Sequence, residues 1–298
     1  MAEARFLIRK SYSEKSLTKT YATACALLAS AIVIIILSVL LYQSGSAILD
    51  AGPSFLGTEW NPARNLYGIL PMLYGSIIVM MIAMTLALPI GILSALYISE
   101  TLSEKRRRVA KTALEILTGI PSIVYGLIGV SVLSLWVADI FGLQTGRIIL
   151  TAGLLLAVMI LPTIISLSED AISNVSTQYR ENAYALGLYR YEVIKDVILP
   201  QAKGDVIGAG FLALGRALGE TMAVMLVIGS LDRIPSPAYN ILASGQTITS
   251  KLGREVAESA FGSTHFNVLV LMSLILVVLT LSMTLMAHLI FRTTDAHA

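Results

Sequence analysis

The sequence predicts an all-α polytopic membrane protein with six transmembrane helices. Three observations carry that reading: the composition, the blocks into which the charges fall, and the length of the runs between them. Of 298 residues, 56% are apolar and 13% charged, against roughly 45–50% and about 25% in a soluble domain. Too little polar surface is left to coat a soluble globule, and high apolar content with a net charge of +2 excludes disorder. The single cysteine, Cys25, excludes an internal disulfide framework and a cysteine-based zinc site. Its apolar surroundings are those of a small buried hydrophobe.

Five runs carry no charge, at 20–49, 65–99, 116–138, 148–168 and 266–291. Each is long enough for a helix that needs about 20 apolar residues to cross the hydrocarbon. As one helix, 65–99 would be roughly 52 Å long, so its portion around Pro71 is expected outside a core of about 30 Å. The sixth span, 206–229, is apolar apart from Arg216 and Glu220. The first run far exceeds the apolar stretch of a signal peptide and is read as a retained first helix.

Lysine and arginine set the orientation. Fifteen lie on one side: Arg5, Arg9, Lys10, Lys15, Lys19, Lys105, Arg106, Arg107, Arg108, Lys111, Arg180, Arg190, Lys195, Lys203 and Arg292. Five lie on the other: Arg64, Arg147, Arg233, Lys251 and Arg254. The positive-inside rule then puts both termini in the cytoplasm of a cell-membrane protein, with 1–19 as a basic cytoplasmic tail. Topology and lipid headgroups account for these basic blocks without nucleic acid. The outer connection 229–265, with Pro235 and Pro237, is long enough to cover a substrate entrance. The inner connection 169–205 is rich in alternating charge and helix formers. It predicts one or two short helices, broken near Gly187 and ended by Pro200. The outer segment 50–64 is turn-rich and otherwise uninformative.

Catalytic chemistry is missing. No glycine is followed by lysine, so a phosphate-cradling Walker A loop is absent, as are the HExxH zinc motif and the GxSxG nucleophile turn. The three histidines, His265, His288 and His297, are far apart and read as interfacial or tail residues. No catalytic or metal-binding residue is assigned, and any energy for transport must come from another chain or an ion gradient.

The inner connection carries the most specific pattern. Arg180 to Leu188 read Arg-Glu-Asn-Ala-Tyr-Ala-Leu-Gly-Leu, and nine residues separate Gly187 from Val197-Ile198-Leu199-Pro200. A short helix, a glycine that permits a sharp turn and a proline that stops a helix suit a docking knob. The segment resembles the coupling loop of ABC importer membrane subunits, with Glu181, Ala183, Gly187, Leu199 and Pro200 matching. Asn182 and Val197 depart from that pattern. Gly119-Ile120-Pro121-Ser122-Ile123-Val124-Tyr125-Gly126 and 215–224, Gly-Arg-Ala-Leu-Gly-Glu-Thr-Met-Ala-Val, narrow the likeness to the C-type membrane subunits of phosphate-specific ABC importers.

The resemblance implies a type I (MetI-like) ABC importer permease fold, with a core at 66–292 behind the flanking helix 20–49. It assigns 169–205 to ATPase coupling and 230–265 to the outer loop. It implies a heterodimer with an A-type permease subunit, two cytoplasmic ATPase subunits that bind ATP and magnesium, and an extracytoplasmic phosphate-binding protein. This chain itself holds no cofactor. Other oxyanions (molybdate, tungstate, sulfate) are the alternative cargo, and a self-contained anion channel or carrier is the alternative class.

Small residues mark the fifth span. Gly204 and Gly208, then Gly215 and Gly219, are spaced for close helix approach. The contact served is either within the subunit or at the subunit interface. Pro89, Pro121 and Pro162 predict kinks or breaks. Ser122 and Thr221 offer hydroxyls to a passing anion, or bond a nearby carbonyl. Arg216 and Glu220 are four apart, on one face of a helix, and read in two ways. They form a bracing ion pair, or Arg216 offsets the desolvation of a crossing phosphate while Glu220 holds it at rest.

Overall fold

The protein, a computed structural model, is described over residues 2–295. The side chains of Arg5, Arg9, Lys10, Lys15 and Arg292, and all of His297, lie outside the described residues. Six segments among the described residues are long and apolar enough to cross a membrane: Lys19–Leu49, Leu70–Glu100, Ser122–Phe141, Ile149–Ser173, Arg190–Gly219 and Thr264–Leu289.

Helix α1 (Ala2–Ala51) packs against the last helix and leaves Leu27, Ile34 and Tyr42 exposed. Such a face suits lipid, whose tails are as apolar as these side chains. Cys25 is exposed on α1, which corrects the expectation of a buried thiol. A two-stranded antiparallel ribbon follows, β1 (Trp60–Asn61) and β2 (Leu66–Tyr67), with Trp60 opposite Tyr67. Both rings are buried with Met72, Ile248, Leu269 and Met272. The segment 50–64 thus roofs one end of the bundle.

Helix α2 (Leu70–Glu100) starts with Pro71 in its first turn, where a missing N–H breaks no helical bond. Residues 65–69 precede the helix, and its 31 residues, about 46 Å, still exceed a core of about 30 Å, as the expectation of an end near Pro71 outside the hydrocarbon requires. Next comes α3 (Glu104–Gly119), with Lys105, Arg106 and Arg108 exposed and Leu114 buried. Ile120 is extended, as a residue before proline prefers, so the third span begins only after Pro121. That span is α4 (Ser122–Ile128), a wide turn at Gly129–Leu133, and α5 (Ser134–Phe141).

Helix α6 (Ile149–Ser173) is the centre of the molecule, with 67% of its most apolar stretch buried against 0% for the first span. It packs along α2, where Gly153 lies against Ile82 and Gly91 against Ile164. Its C-terminal end is latched. The fully buried Glu169 pairs with Arg107 and Lys111 of α3, and Lys111 also meets Asp170 at 2.8 Å. Burial alone would push the Lys111 ammonium down, but hydrogen bonds to Asp170 and Glu169 outweigh it and hold it above its usual value. A raised folded pKa stabilises fully below the unfolded value of 10.5 and loses its effect only above it, so the latch persists at neutral pH.

After α7 (Thr177–Ala185) the chain turns at Gly187 and runs through α8 (Arg190–Glu192), a wide turn at Val193–Ile198 and α9 (Leu199–Gly219). The whole Arg190–Gly219 stretch is one continuous helical segment. Pro200 therefore does not end a helix. It enters α9 beside the wide turn, whose shifted hydrogen bonds accommodate a residue without an N–H. Short α10 (Met222–Val227), α11 (Ile248–Glu255) and the last helix α12 (Thr264–Asp295) complete the fold.

Glycines decide where α2 can sit. A Cβ on Gly75 would collide with the backbone carbonyl oxygen of Gln246, whereas one on Gly210 would meet only Leu88 Cδ2 at 3.2 Å. Gly75→Ala should therefore sharply reduce folded yield and thermal stability in detergent. Gly210→Ala should stay within about 1 kcal/mol of the parent, because a leucine end can move aside. Thermal unfolding of both variants checks the contrast.

Candidate functional site

The fifth span is interrupted. Helix α9 stops at Gly219, Glu220 is extended (φ −70°, ψ 122°), and a new helix starts at Met222. This corrects the expectation of one helix across 206–229. Arg216 and Glu220 no longer share a helical face, and no ion pair joins them among the described residues. Each has other partners. Arg216 Nη1 donates to Thr163 Oγ1 at 3.0 Å. Thr163 is fourteen residues into α6, about 21 Å along a helix of roughly 37 Å, so this exposed guanidinium lies near mid-depth. Glu220 turns the other way, its Oε1 accepting from the Ala223 amide at 3.3 Å at the start of α10. A carboxylate there is favoured by the helix dipole.

Hydroxyls close the gap in the backbone. The Glu220 carbonyl accepts from Thr249 Oγ1 at 2.8 Å, and Thr221 Oγ1 donates to the Gly219 carbonyl at 3.2 Å. A small cavity of about 10 Å³ beside Glu220 is also lined by Ser76, Thr247 and Thr249. Ser122 begins α4 and makes no hydrogen bond to Arg216, Glu220 or Thr221. One turn on, Gly126 lies against Ala223 and Leu226, which docks α4 on α10. Of the small residues, Gly208 is buried, Gly215 faces Thr284 Oγ1, and Gly219 has open space before it.

The second candidate region is the hairpin at the C-terminal end of α6. Ser176 caps α7, and Gly187 takes φ +82°, a left-handed turn that glycine adopts without strain. Glu192 Oε2 accepts from the Tyr189 amide at 2.7 Å. Two arginines tie the hairpin to the end of α2. Arg180 reaches Glu100 Oε1 at 3.0 Å and the Ile172 carbonyl at 2.8 Å, and Arg190 donates to the Glu100 carbonyl. Ala183 is buried with Ile172, Val193, Ile198 and Ala202, so it packs the hairpin rather than facing outward. Glu181 and Gly187 are exposed, and so are Tyr184, Leu186, Tyr189 and Tyr191, large side chains that motif reading passed over. Leu199 and Pro200 stand beyond them on α9.

The model of the family described as the binding-protein-dependent transport system inner membrane component matches residues 87–295. The chain belongs to that family. The match takes in the interrupted span and the hairpin alike. Among curated relatives, the phosphate transport system permease protein PstC of Xylella fastidiosa is 37% identical over 270 residues, covering 84% of this chain and 82% of that one. The probable ABC transporter permease protein YqgH of Bacillus subtilis is 35% identical, covering 87% and 84%. Two solved structures show the same fold at low identity. An inward-facing MetNI methionine ABC transporter chain matches with TM-score 0.53 at 19% identity, over 76% of this chain and 94% of that one. A bacterial alginate ABC transporter chain matches with TM-score 0.54 at 16% identity, over 94% and 97%. The protein is thus a multi-pass membrane permease of the ABC importer type.

Several residues of this permease component escaped sequence reading. Thr163 follows Pro162 inside a span, a signal that was available. Thr249, Asp232 and Glu255 come from the outer connection, where polar residues look unremarkable, and Lys251 and His265, read there only as a topology charge and an interfacial residue, join them. Lys251 is 1% exposed, paired with Asp232 and Glu255 at 2.5 Å each, with its ammonium 4.7 Å from the centroid of the Trp60 ring. Among the described residues, no cluster of histidine, cysteine and carboxylate side chains is placed to hold a metal ion.

Separation of Arg216 from Glu220 has a measurable consequence. In a double-mutant cycle with Arg216→Gln and Glu220→Gln, the coupling energy in thermal stability should lie within about 0.5 kcal/mol of zero, as for independent sites. A directly paired arginine and glutamate would give a larger value, and the double variant would recover what each single variant lost.

Proposed function

We propose that the chain is the membrane-spanning permease subunit of an ABC importer that carries inorganic phosphate inward, driven by ATP hydrolysed on partner subunits. One observation carries the reading: Arg216, a guanidinium near mid-depth that Glu220 does not neutralise, in a chain similar over most of its length to proteins named phosphate transport permeases. A charged residue at that depth costs about 2.5–3.5 kcal/mol on insertion scales and is retained for a function. A guanidinium fork matches the oxygens of a tetrahedral oxyanion, and the hydroxyls of Thr163 and Ser122 add uncharged donors along the path, joined by Thr221 once it releases the Gly219 carbonyl.

The excess of lysine and arginine on the hairpin side supports a cytoplasmic position for that side and both termini. There the exposed Tyr184, Leu186, Tyr189 and Tyr191 around Gly187 offer an apolar and aromatic contact to an ATPase subunit, with Glu181 at its edge. Movement of the hairpin passes to the pathway through one rigid body, the continuous Arg190–Gly219 segment, about 45 Å long, which ends one turn past Arg216. The Arg180 and Arg190 contacts to Glu100 hold its near end against α2. ATP and magnesium belong to the ATPase partners, and this chain contributes no catalytic residue. An A-type permease subunit completes the pathway, and a phosphate-binding protein loads it from outside.

Copurification with its ATPase and A-type partners, followed by ATP hydrolysis assays with loaded binding protein, tests this reading. Phosphate should stimulate hydrolysis, and sulfate or molybdate should not. Stimulation by those anions in place of phosphate would change the cargo, and phosphate flux through this chain alone without nucleotide would replace the importer with a channel. Gly187→Asp should yield inserted protein that has lost ATPase association and at least tenfold of its uptake. The side chain meets a left-handed turn costing about 1–2 kcal/mol and brings a charge into the contact. Normal uptake by that variant would overturn the docking assignment.

A further inference from the structure

At the end of the bundle opposite the Gly187 hairpin, a cavity of about 390 Å³ is lined by Arg147, Met225, Leu226, Gly229, Ser230 and Arg254. Arg147 precedes α6 and Arg254 lies in the last turn of α11, so elements far apart in sequence each bring an exposed arginine to the lining of one cavity. No carboxylate lines it. Among the described residues, neither guanidinium has an ion pair or a side-chain hydrogen bond.

Two neighbouring acids, Glu255 and Asp232, engage Lys251 rather than either arginine, and the exposed Glu258 makes no ion pair with them among the described residues. Glu255, next to Arg254, gives Oε1 to Lys251 at 2.5 Å, while its Oε2 accepts from Trp60 Nε1 at 3.2 Å and meets His265 Nε2 at 3.0 Å. Asp232, two residues beyond Ser230, gives Oδ2 to the same lysine at 2.5 Å, while its Oδ1 is buried without a hydrogen-bond partner and does not line the cavity. One buried lysine therefore engages both carboxylates and leaves two arginines with uncompensated charge around a solvent-open space. The cavity also adjoins the interrupted span. Met225 is one turn beyond Thr221, and a Cβ on Gly253 would lie 2.8 Å from Thr221 Cγ2 and 3.5 Å from Met225 Sδ. Helix α11 thus presses on the break that follows Arg216, and Arg254 is the next residue along it.

We propose that Arg147 and Arg254 form a second oxyanion site, separate from Arg216, which takes a phosphate-type tetrahedral anion at the mouth of the pathway before it crosses. This inference rests on the importer reading and names the residues that receive the cargo. Two forked donors supply charge-assisted hydrogen bonds to several oxygens at once, and the Ser230 hydroxyl adds a neutral donor. Both arginines are exposed, so water weakens each contact and the anion remains free to leave. A phospholipid headgroup carries the same chemistry as free phosphate, and the experiment separates them.

The assembled complex is studied in nanodiscs of phosphatidylcholine, with or without phosphatidylglycerol, in an Arg216→Gln background that silences the mid-depth guanidinium. Binding of labelled inorganic phosphate is measured without nucleotide or binding protein. Phosphate should bind in the neutral discs. Arg147→Gln and Arg254→Gln should each weaken it about tenfold, as expected for a hydrogen bond between charged groups. The double glutamine variant should abolish it, and the double lysine variant should retain part. Unchanged binding in the double glutamine variant, or no binding in neutral discs, would overturn the site. So would loss of retained phosphatidylglycerol in that variant with no free phosphate bound, which assigns the arginines to a lipid headgroup. Impaired assembly with unchanged phosphate binding would assign them to carboxylates of a partner. Failure of the importer reading has a separate signature, no hydrolysis stimulated by phosphate-loaded binding protein in the unsubstituted complex, which the binding assay does not use.

Discussion

A backbone that breaks inside a membrane must find its hydrogen-bond partners within the protein, because hydrocarbon offers none. The chain from Gly219 to Thr221 meets that constraint, and much of the surrounding structure follows from it. The Glu220 carbonyl is taken by Thr249, the Glu220 carboxylate receives the Ala223 amide of α10, and the Thr221 hydroxyl turns back to Gly219. Thr249 can reach only because α11 lies against the break. That helix is held in place by Lys251, clamped between Asp232 and Glu255 under the Trp60 ring. The ribbon roof, the outer connection and the interrupted span are therefore one mechanical unit.

The interruption also separates two charges that a continuous helix would pair. Arg216 lies near the end of a rigid segment that begins at the hairpin, while Glu220 bridges the break, its amide donating to the Ala217 carbonyl of α9 and its carboxylate accepting from the Ala223 amide of α10. The continuous segment connects the Gly187 hairpin to Arg216, whose guanidinium donates to Thr163. In the proposed importer this gives the ATPase a handle on the cation in the pathway and leaves the outer unit, with Arg147 and Arg254, to answer to the binding protein. Neutralising Glu220 is then a matter of helix capping, and neutralising Arg216 a matter of cargo.

Much of this fold was legible in the sequence because long apolar runs and blocks of lysine and arginine survive any tertiary arrangement. The turn at Gly187 was legible for a local reason, since only glycine takes its left-handed conformation at no cost. The break at 219–221 was not, because Gly-Glu-Thr inside an apolar run contains no proline, and the hydroxyl that stabilises the break sits 29 residues away. Pro200 misled in the opposite sense, as the wide turn before it absorbs the missing donor. Cys25 looked buried because apolar neighbours mean burial in water but lipid exposure in a membrane. The outer connection hid most, since Lys251 reads as a surface lysine until the ribbon folds over it.

The central claim is that the interrupted fifth span lines the route of phosphate. Its most direct test is thiol labelling of Thr221→Cys in a Cys25→Ser background, in the reconstituted complex with loaded binding protein and ATP. The account predicts reaction with a membrane-impermeant reagent during turnover, slowed by phosphate and unaffected by sulfate. A cysteine at 221 that stays unreactive in every state, as on an uninterrupted helix packed in protein or facing lipid, would contradict it.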